Sequence, residues 1–239
     1  MTERADCALR AAEAGAAVAS GSFREGIAVE TKGQKTDVVT QADHDAQAQV
    51  VSTIRDRYAD DPIVGEEDEE LGSVPDSGPA WVVDPIDGTN NFVRGMRTWT
   101  TSVAATADGE PEAGATVAPA LEDTYLLDSG TAYQNGEELS VSERRDPEEF
   151  VVVPTVWWEF DRREEYAAAC AGIVERFGDM RRFGSAQLEL ALCSAGAVDG
   201  VITNIRVKPW DSLVGDGLVE AGGGVVTDID GDPWRHDSR

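Results

Sequence analysis

The chain has 239 residues, 41% of them apolar, enough for one large domain or two closely packed halves around a real core. Its formal net charge is −26, with acids spread along the whole length and Lys32, Lys35 and Lys208 as the only lysines. That balance argues against a nucleic-acid partner gripped through its phosphates, and it looks like the surface of a halophile's protein, hydrated and screened in molar salt.

No apolar run approaches the roughly 18 residues needed to span a bilayer, and the opening segment, charged and amphipathic, has no apolar stretch of the signal-peptide kind. The expectation is a cytoplasmic chain with no membrane partner. Cys7, Cys170 and Cys193 are odd in number and far apart, and each falls in a stretch that reads as helix. They are expected to be small buried hydrophobes rather than a disulfide framework or a zinc site. His44 and His236 are the only histidines, which leaves little for zinc or phosphohistidine chemistry.

In chain order, Ala8, Leu9, Ala12, Ala16 and Ala19 recur at helical spacing, so a helix is expected over 5–20, ending near Gly21. Gly26 to Val39 reads as a mobile connection with Lys32-Gly33-Gln34-Lys35 at its tip. Thr40-Gln41-Ala42-Asp43 then opens a helix with the stripe Ala46, Val50, Val51, Ile54 and Tyr58. Asp43, taken alone, is a first-turn acid of the kind the helix dipole favours. Ile63-Val64-Gly65 is a short strand running into Glu66 and Glu67, which alone are a solvated acidic pair; an exposed loop follows up to Pro79.

The most informative stretch is Trp81-Val82-Val83-Asp84-Pro85-Ile86-Asp87-Gly88-Thr89-Asn90-Asn91-Phe92. Aromatic and β-branched residues form a buried strand that runs into a carboxylate. Pro85 lacks an amide N–H, so the ladder is expected to stop there, leaving Asp84 and Asp87 on either side of a rigid bend. Gly88 permits close approach of the main chain, and Thr89 opens a new element with a hydroxyl and free amides. Two acids followed by outward amides suit a divalent cation meeting an anion; for phosphate chemistry the cation is Mg²⁺.

From Thr98 to Tyr133 the pattern becomes an antiparallel meander, with strands at 102–106, 113–117 and 124–127 separated by turns. Strands then alternate with helices: a strand from Val151, a helix over 163–177, a strand over 180–183 and a helix over 185–195. A strand over 198–203, a helix over 211–220 and a strand over 225–228 complete it. The fold class is therefore mixed α/β (α+β), with an N-terminal α+β part over 1–147 and a C-terminal αβα part over 148–239, forming one compact unit. Within the second part, Trp210-Asp211 precedes Glu220-Ala221-Gly222-Gly223; alone, Asp211 is a helix cap.

The string from Trp81 to Phe92 resembles the first signature of the inositol monophosphatase family, and Trp210-Asp211 with the Glu-Ala-Gly-Gly run resembles its second. Ser212-Leu213-Val214 departs from the small residues usual there, and Glu220 sits one position early. The resemblance covers nearly the whole chain and implies a layered αβαβα fold. It also implies two to three Mg²⁺ ions held by Glu66, Asp84, Asp87, Asp211 and the Ile86 carbonyl. Four acids packed together make physical sense only with cations between them. It further implies that Thr89 with Asp43, helped by Glu66, orients and deprotonates the attacking water, and that Gly88 and Thr89 amides hold the phosphate. Lys32 falls where the family has a mobile-loop lysine; as a residue it is equally a solvated loop lysine. A homodimer and inhibition by Li⁺ are also implied.

The substrate implied is a small phosphorylated polyol or sugar, inositol 1-phosphate or fructose 1,6-bisphosphate. Asn204 stands seven residues before Asp211, where inositol-selective relatives carry a glutamate. Arg181, Arg182 and Arg206 are candidates for a second phosphate, and equally surface charges. Two alternatives stay open: a 3′(2′),5′-bisphosphate nucleotidase, whose relatives more often have a basic residue and Glu after Asp-Gly-Thr, and a non-catalytic metal-binding scaffold. Gly184-Ser185-Ala186 is not a nucleophile elbow and reads as a turn and helix cap.

Overall fold

The computed structural model describes residues 1–25, 29–31, 38–67, 73–156 and 160–235. Its organising element is the strand β4 (Pro79–Asp87), which is buried on both faces beyond its first residue. Side chains alternate across a strand, so Trp81 and Val83 point one way and Val82 and Asp84 the other. Trp81 and Val83 join Ala5, Ala8, Ala12, Val50 and Ile54 in one cluster, contributed by α1 (Glu3–Ser22) and α2 (Gln41–Arg55). Val82 joins Leu188, Ala191, Leu213 and Leu218 in a second, contributed by α5 (Ala186–Ser194) and α6 (Leu213–Ala221). The parity of one strand thus separates two helical layers, and Asp84 is sent toward the second.

Seven strands make the central sheet, in the order β3 (Ile63–Gly65), β4, β5 (Thr100–Ala107), β6 (Glu110–Ala118), β7 (Asp123–Asp128), β8 (Thr131–Gln134) and β9 (Glu137–Glu138). β3 runs parallel to β4, and the rest form the expected meander. A smaller parallel sheet has β10 (Val151–Pro154) between β11 (Asp179–Met180) and β12 (Gly200–Ile202), with α4 (Arg163–Arg176) beside it. The layers are those of an αβαβα fold.

Several expectations are corrected, the burial of two cysteines among them. The ladder does not stop at Pro85: β4 continues to Asp87, and its pairing with β5 shifts register between Asp84 and Asp87. A β-bulge absorbs the missing donor, and the Pro85 carbonyl accepts from Thr101 Oγ1 at 2.7 Å. Within Gly26 to Val39, β1 (Val29–Thr31) pairs antiparallel with β2 (Val38–Thr40), and the tip Lys32-Gly33-Gln34-Lys35 lies outside the described residues. The strand expected over 180–183 ends at Met180. The helix expected from Asp211 begins at Leu213, after a 3-10 turn over Pro209–Asp211. The strand expected over 225–228 is reduced to one bridge between Thr227 and Pro233. All three cysteines lie in helices, but only Cys7 is buried; Cys170 and Cys193 are half-buried.

Among the described residues, no helix is long and apolar enough to cross a membrane.

Candidate active site

Asp84, Asp87 and Asp211 meet where the end of β4 and the 3-10 turn before α6 converge. Each offers a carboxylate oxygen, and these oxygens lie within 4.8 Å of one another. Both Asp84 oxygens are buried without a hydrogen-bond partner. Burial, then the charges of Glu66, Asp87 and Asp211, push the Asp84 carboxyl well above the ordinary carboxylate range. Glu66, half-buried just past the end of β3, lies near enough for its charge to act on Asp84. Buried carboxylate oxygens with no donor, ringed by further acids, fit a hard divalent cation, which takes oxygen ligands and supplies the missing positive charge.

Asp87 is treated differently. Burial raises its carboxyl too, but donors oppose the shift: Ser185 Oγ at 2.6 Å, Gln187 N at 2.7 Å and Ala186 N at 3.2 Å. These are the first groups of α5, with Ser185 as its N-cap, so a helix start is turned onto one acid of the cluster. The turn before it is held from two sides. Glu189 accepts from Phe183 N at 2.7 Å, from Gly184 N at 2.8 Å and from Thr155 Oγ1. Asn91 Nδ2, inside the first signature, donates to Phe183 O and Thr98 O, each at 2.6 Å.

Gly88 follows Asp87 in the left-handed region with φ 88°, and a Cβ there would lie 3.1 Å from both Gly184 O and Thr98 O. Glycine is required twice over. It leads into α3 (Thr89–Val93), where Thr89 Oγ1 lies 3.3 Å from Asp43 Oδ1 and 3.0 Å from the Ile86 carbonyl. Asp43 is fully buried and also closes a capping box on Thr40, so it serves the helix start and faces Thr89 at once.

The whole chain, residues 1–239, matches the model of the inositol monophosphatase family. The chain belongs to the inositol monophosphatase family. It is 36% identical over 204 residues to a fructose-1,6-bisphosphatase/inositol-1-monophosphatase of Thermotoga maritima, covering 85% of this chain and 76% of that one. It is 33% identical over 230 residues to the Nus factor SuhB of Escherichia coli K12, covering 94% of this chain and 84% of that one. The solved structure of a Thermotoga maritima IMPase superposes with a TM-score of 0.88 at 32% identity, covering all of this chain and 90% of that one. As a member of this family the chain is a phosphoric monoester hydrolase.

The two signature segments thus converge on one cluster, Asp84, Asp87 and Asp211, with Glu66 near enough for its charge to act on Asp84 and with Asp43 and the Ile86 carbonyl beside Thr89. A cavity of about 550 Å³ opens beside Asp211, and Thr155, Asn204, Arg206 and Ser212 are among its lining residues. Asn204 is engaged at that wall, with Nδ2 donating to Glu165 Oε2 at 2.5 Å. Arg182 is not part of the lining: it donates to Val156 O at 3.1 Å and lies over the Tyr166 ring.

Asn91 stands inside the first signature without a role assigned to it, Gln187 and Glu189 carry no mark in the sequence motifs, and Gln47 is a further case. Gln47 is buried on α2, and its Oε1 accepts from Glu67 N at 3.0 Å, beside Glu66. A usable signal exists for two of them. Gln187 and Glu189 interrupt Ala186-Leu188-Leu190-Ala191-Leu192, and polar residues inside an all-round apolar helix need buried partners.

Proposed function

We propose that the chain is a Mg²⁺-dependent phosphomonoesterase that hydrolyses small polyol and sugar phosphates, inositol 1-phosphate and fructose 1,6-bisphosphate in particular. The observation that carries this reading is Asp84: a buried carboxylate with two unpartnered oxygens, among Asp87, Asp211 and Glu66. Held by these four acids and the Ile86 carbonyl, Mg²⁺ would supply charge for the phosphate oxygens and acidify the attacking water.

The remaining chemistry belongs to side chains and amides. With its hydrogen directed to Asp43 or to the Ile86 carbonyl, Thr89 Oγ1 keeps lone pairs free to accept from a water. Asp43 is the base behind it, and Glu66 shares that task. Gly88 and Thr89 amides, at the start of α3, would receive phosphate oxygens. The cavity beside Asp211 takes the polyol or sugar, with Asn204 offering a polar edge and Arg206 a guanidinium for a second phosphate. The net charge of −26 supports activity at high salt, where screening relieves self-repulsion. Family membership supports a homodimer and inhibition by Li⁺.

A non-catalytic, partner-binding role has one observation in its favour, the 33% identity to Nus factor SuhB. Phosphate release decides between the two. Wild type and Asp87→Asn are assayed in multimolar KCl with Mg²⁺ against inositol 1-phosphate, fructose 1,6-bisphosphate and adenosine 3′,5′-bisphosphate. Turnover of either of the first two, lost in the variant, supports the proposal. Turnover of the third alone overturns the substrate class, and no turnover from a folded protein favours partner binding.

A further inference from the structure

Gln187 is fully buried, and its main chain and side chain are committed to different acids of the cluster. Its backbone N–H donates to Asp87 Oδ2 at 2.7 Å. Its Nε2 donates to the carbonyl of Trp210, the residue before Asp211, at 2.7 Å. Its Oε1 accepts from Gly215 N at 2.9 Å.

The last contact has a clear cause. Gly215 lies in the first turn of α6, whose amides have no intrahelical acceptor, and Ser212 makes no side-chain cap bond. Gln187 supplies the cap from α5. It can do so because the helices touch at Gly215, where a Cβ would sit 2.4 Å from Leu190 Cβ. Asp211 is therefore bracketed: the residue before it and the start of the helix after it are both fastened to one amide group. That amide is carried by the residue whose own N–H holds Asp87.

We propose that Gln187 is a positioning residue that fixes the spacing between Asp87 and Asp211 and so tunes the cluster for Mg²⁺ over larger cations. The proposal rests on the metal reading above. Mg²⁺ demands a tight, near-octahedral oxygen set, whereas Ca²⁺ accepts looser and more variable ones. An acid pair whose spacing relaxes loses Mg²⁺ first. A residue that merely props the fold would weaken both cations alike.

The test is calorimetric titration of the full chain with Mg²⁺ and with Ca²⁺, in wild type, Gln187→Leu and Gln187→Glu. Gln187→Leu removes the amide; Gln187→Glu keeps the size and the acceptor for Gly215 but loses the donor to Trp210. Should the leucine variant fail to fold, the isosteric glutamate variant decides. Mg²⁺ affinity is expected to fall about tenfold to a hundredfold, as for other residues that orient metal ligands, with Ca²⁺ affinity within about threefold of wild type. A parallel fall for both cations, or no fall for Mg²⁺, overturns the proposal alone. Wild type that binds neither cation overturns the metal reading and this inference with it.

Discussion

Ser185 Oγ donates to Asp87 Oδ2 at 2.6 Å, joining residues 98 positions apart in the chain. The bond ties the start of α5 to the end of β4 and fixes the carboxylate that the Gln187 and Ala186 amides also hold. Ser185→Ala removes the one side-chain donor of that set. The half-saturating Mg²⁺ concentration should rise about tenfold, as expected for one charge-assisted hydrogen bond behind a ligand. Ser185→Thr keeps a hydroxyl and should stay near wild type. Mg²⁺ titrations of turnover check both.

Gly88 combines φ 88° with two carbonyl oxygens 3.1 Å from the site of any Cβ. Gly88→Ala should destabilise the protein by about 1–3 kcal/mol through backbone strain. It should also cut activity more steeply than stability, because Asp87 and Thr89 flank it. Urea unfolding alongside an activity assay measures the two losses separately.

Asp216 on α6 is buried, its Oδ2 has no hydrogen-bond partner, and burial pushes its carboxyl up to about 8. The unfolded chain releases this proton near pH 4, the folded one only near pH 8. Between these values the folded state binds the extra proton, so raising the pH costs stability, and the cost is complete above pH 8. Asp216→Asn removes the titration. The variant's advantage over wild type in urea should therefore grow from pH 5 to pH 8. Parallel stabilities across that range would contradict the assignment.

Arg206 lines the cavity beside Asp211, whereas Arg182 is turned to Val156 O and Tyr166. Arg206→Ala should raise KM for fructose 1,6-bisphosphate about tenfold through the loss of a charged contact, with inositol 1-phosphate little affected. Arg182→Ala should change neither by more than about twofold, as for an exposed arginine. Steady-state kinetics on both substrates decides which arginine meets a second phosphate.

The acids of the site were legible because two local strings carry them: Asp84 to Thr89 on one, Asp211 on the other. The unbroken apolar run Trp81, Val82, Val83 equally reads as a buried strand. What escaped was the wiring between distant segments. Pro85 read as a stop because it lacks a donor, yet a bulge carries β4 through to Asp87, and Thr101 serves the Pro85 carbonyl. Gln187, Glu189 and Asn91 each reach a partner far along the chain, Asp87, Thr155 and Phe183 in turn, and helical periodicity says nothing of such partners. Val225 to Asp228 has the apolar start of a strand, but Val225 is exposed and only one bridge forms there.

The central claim is that the carboxylates around Asp84 exist to hold a divalent cation for phosphate hydrolysis. The most direct measurement is phosphate release from inositol 1-phosphate as a function of Mg²⁺, for wild type and Asp84→Asn in the same high-salt buffer. Saturable dependence on Mg²⁺ is expected in wild type, with no turnover in excess EDTA and a loss of at least about a hundredfold in the variant, since a ligand should cost no less than the residues behind it. Turnover that persists in EDTA, or that survives the substitution, would contradict it.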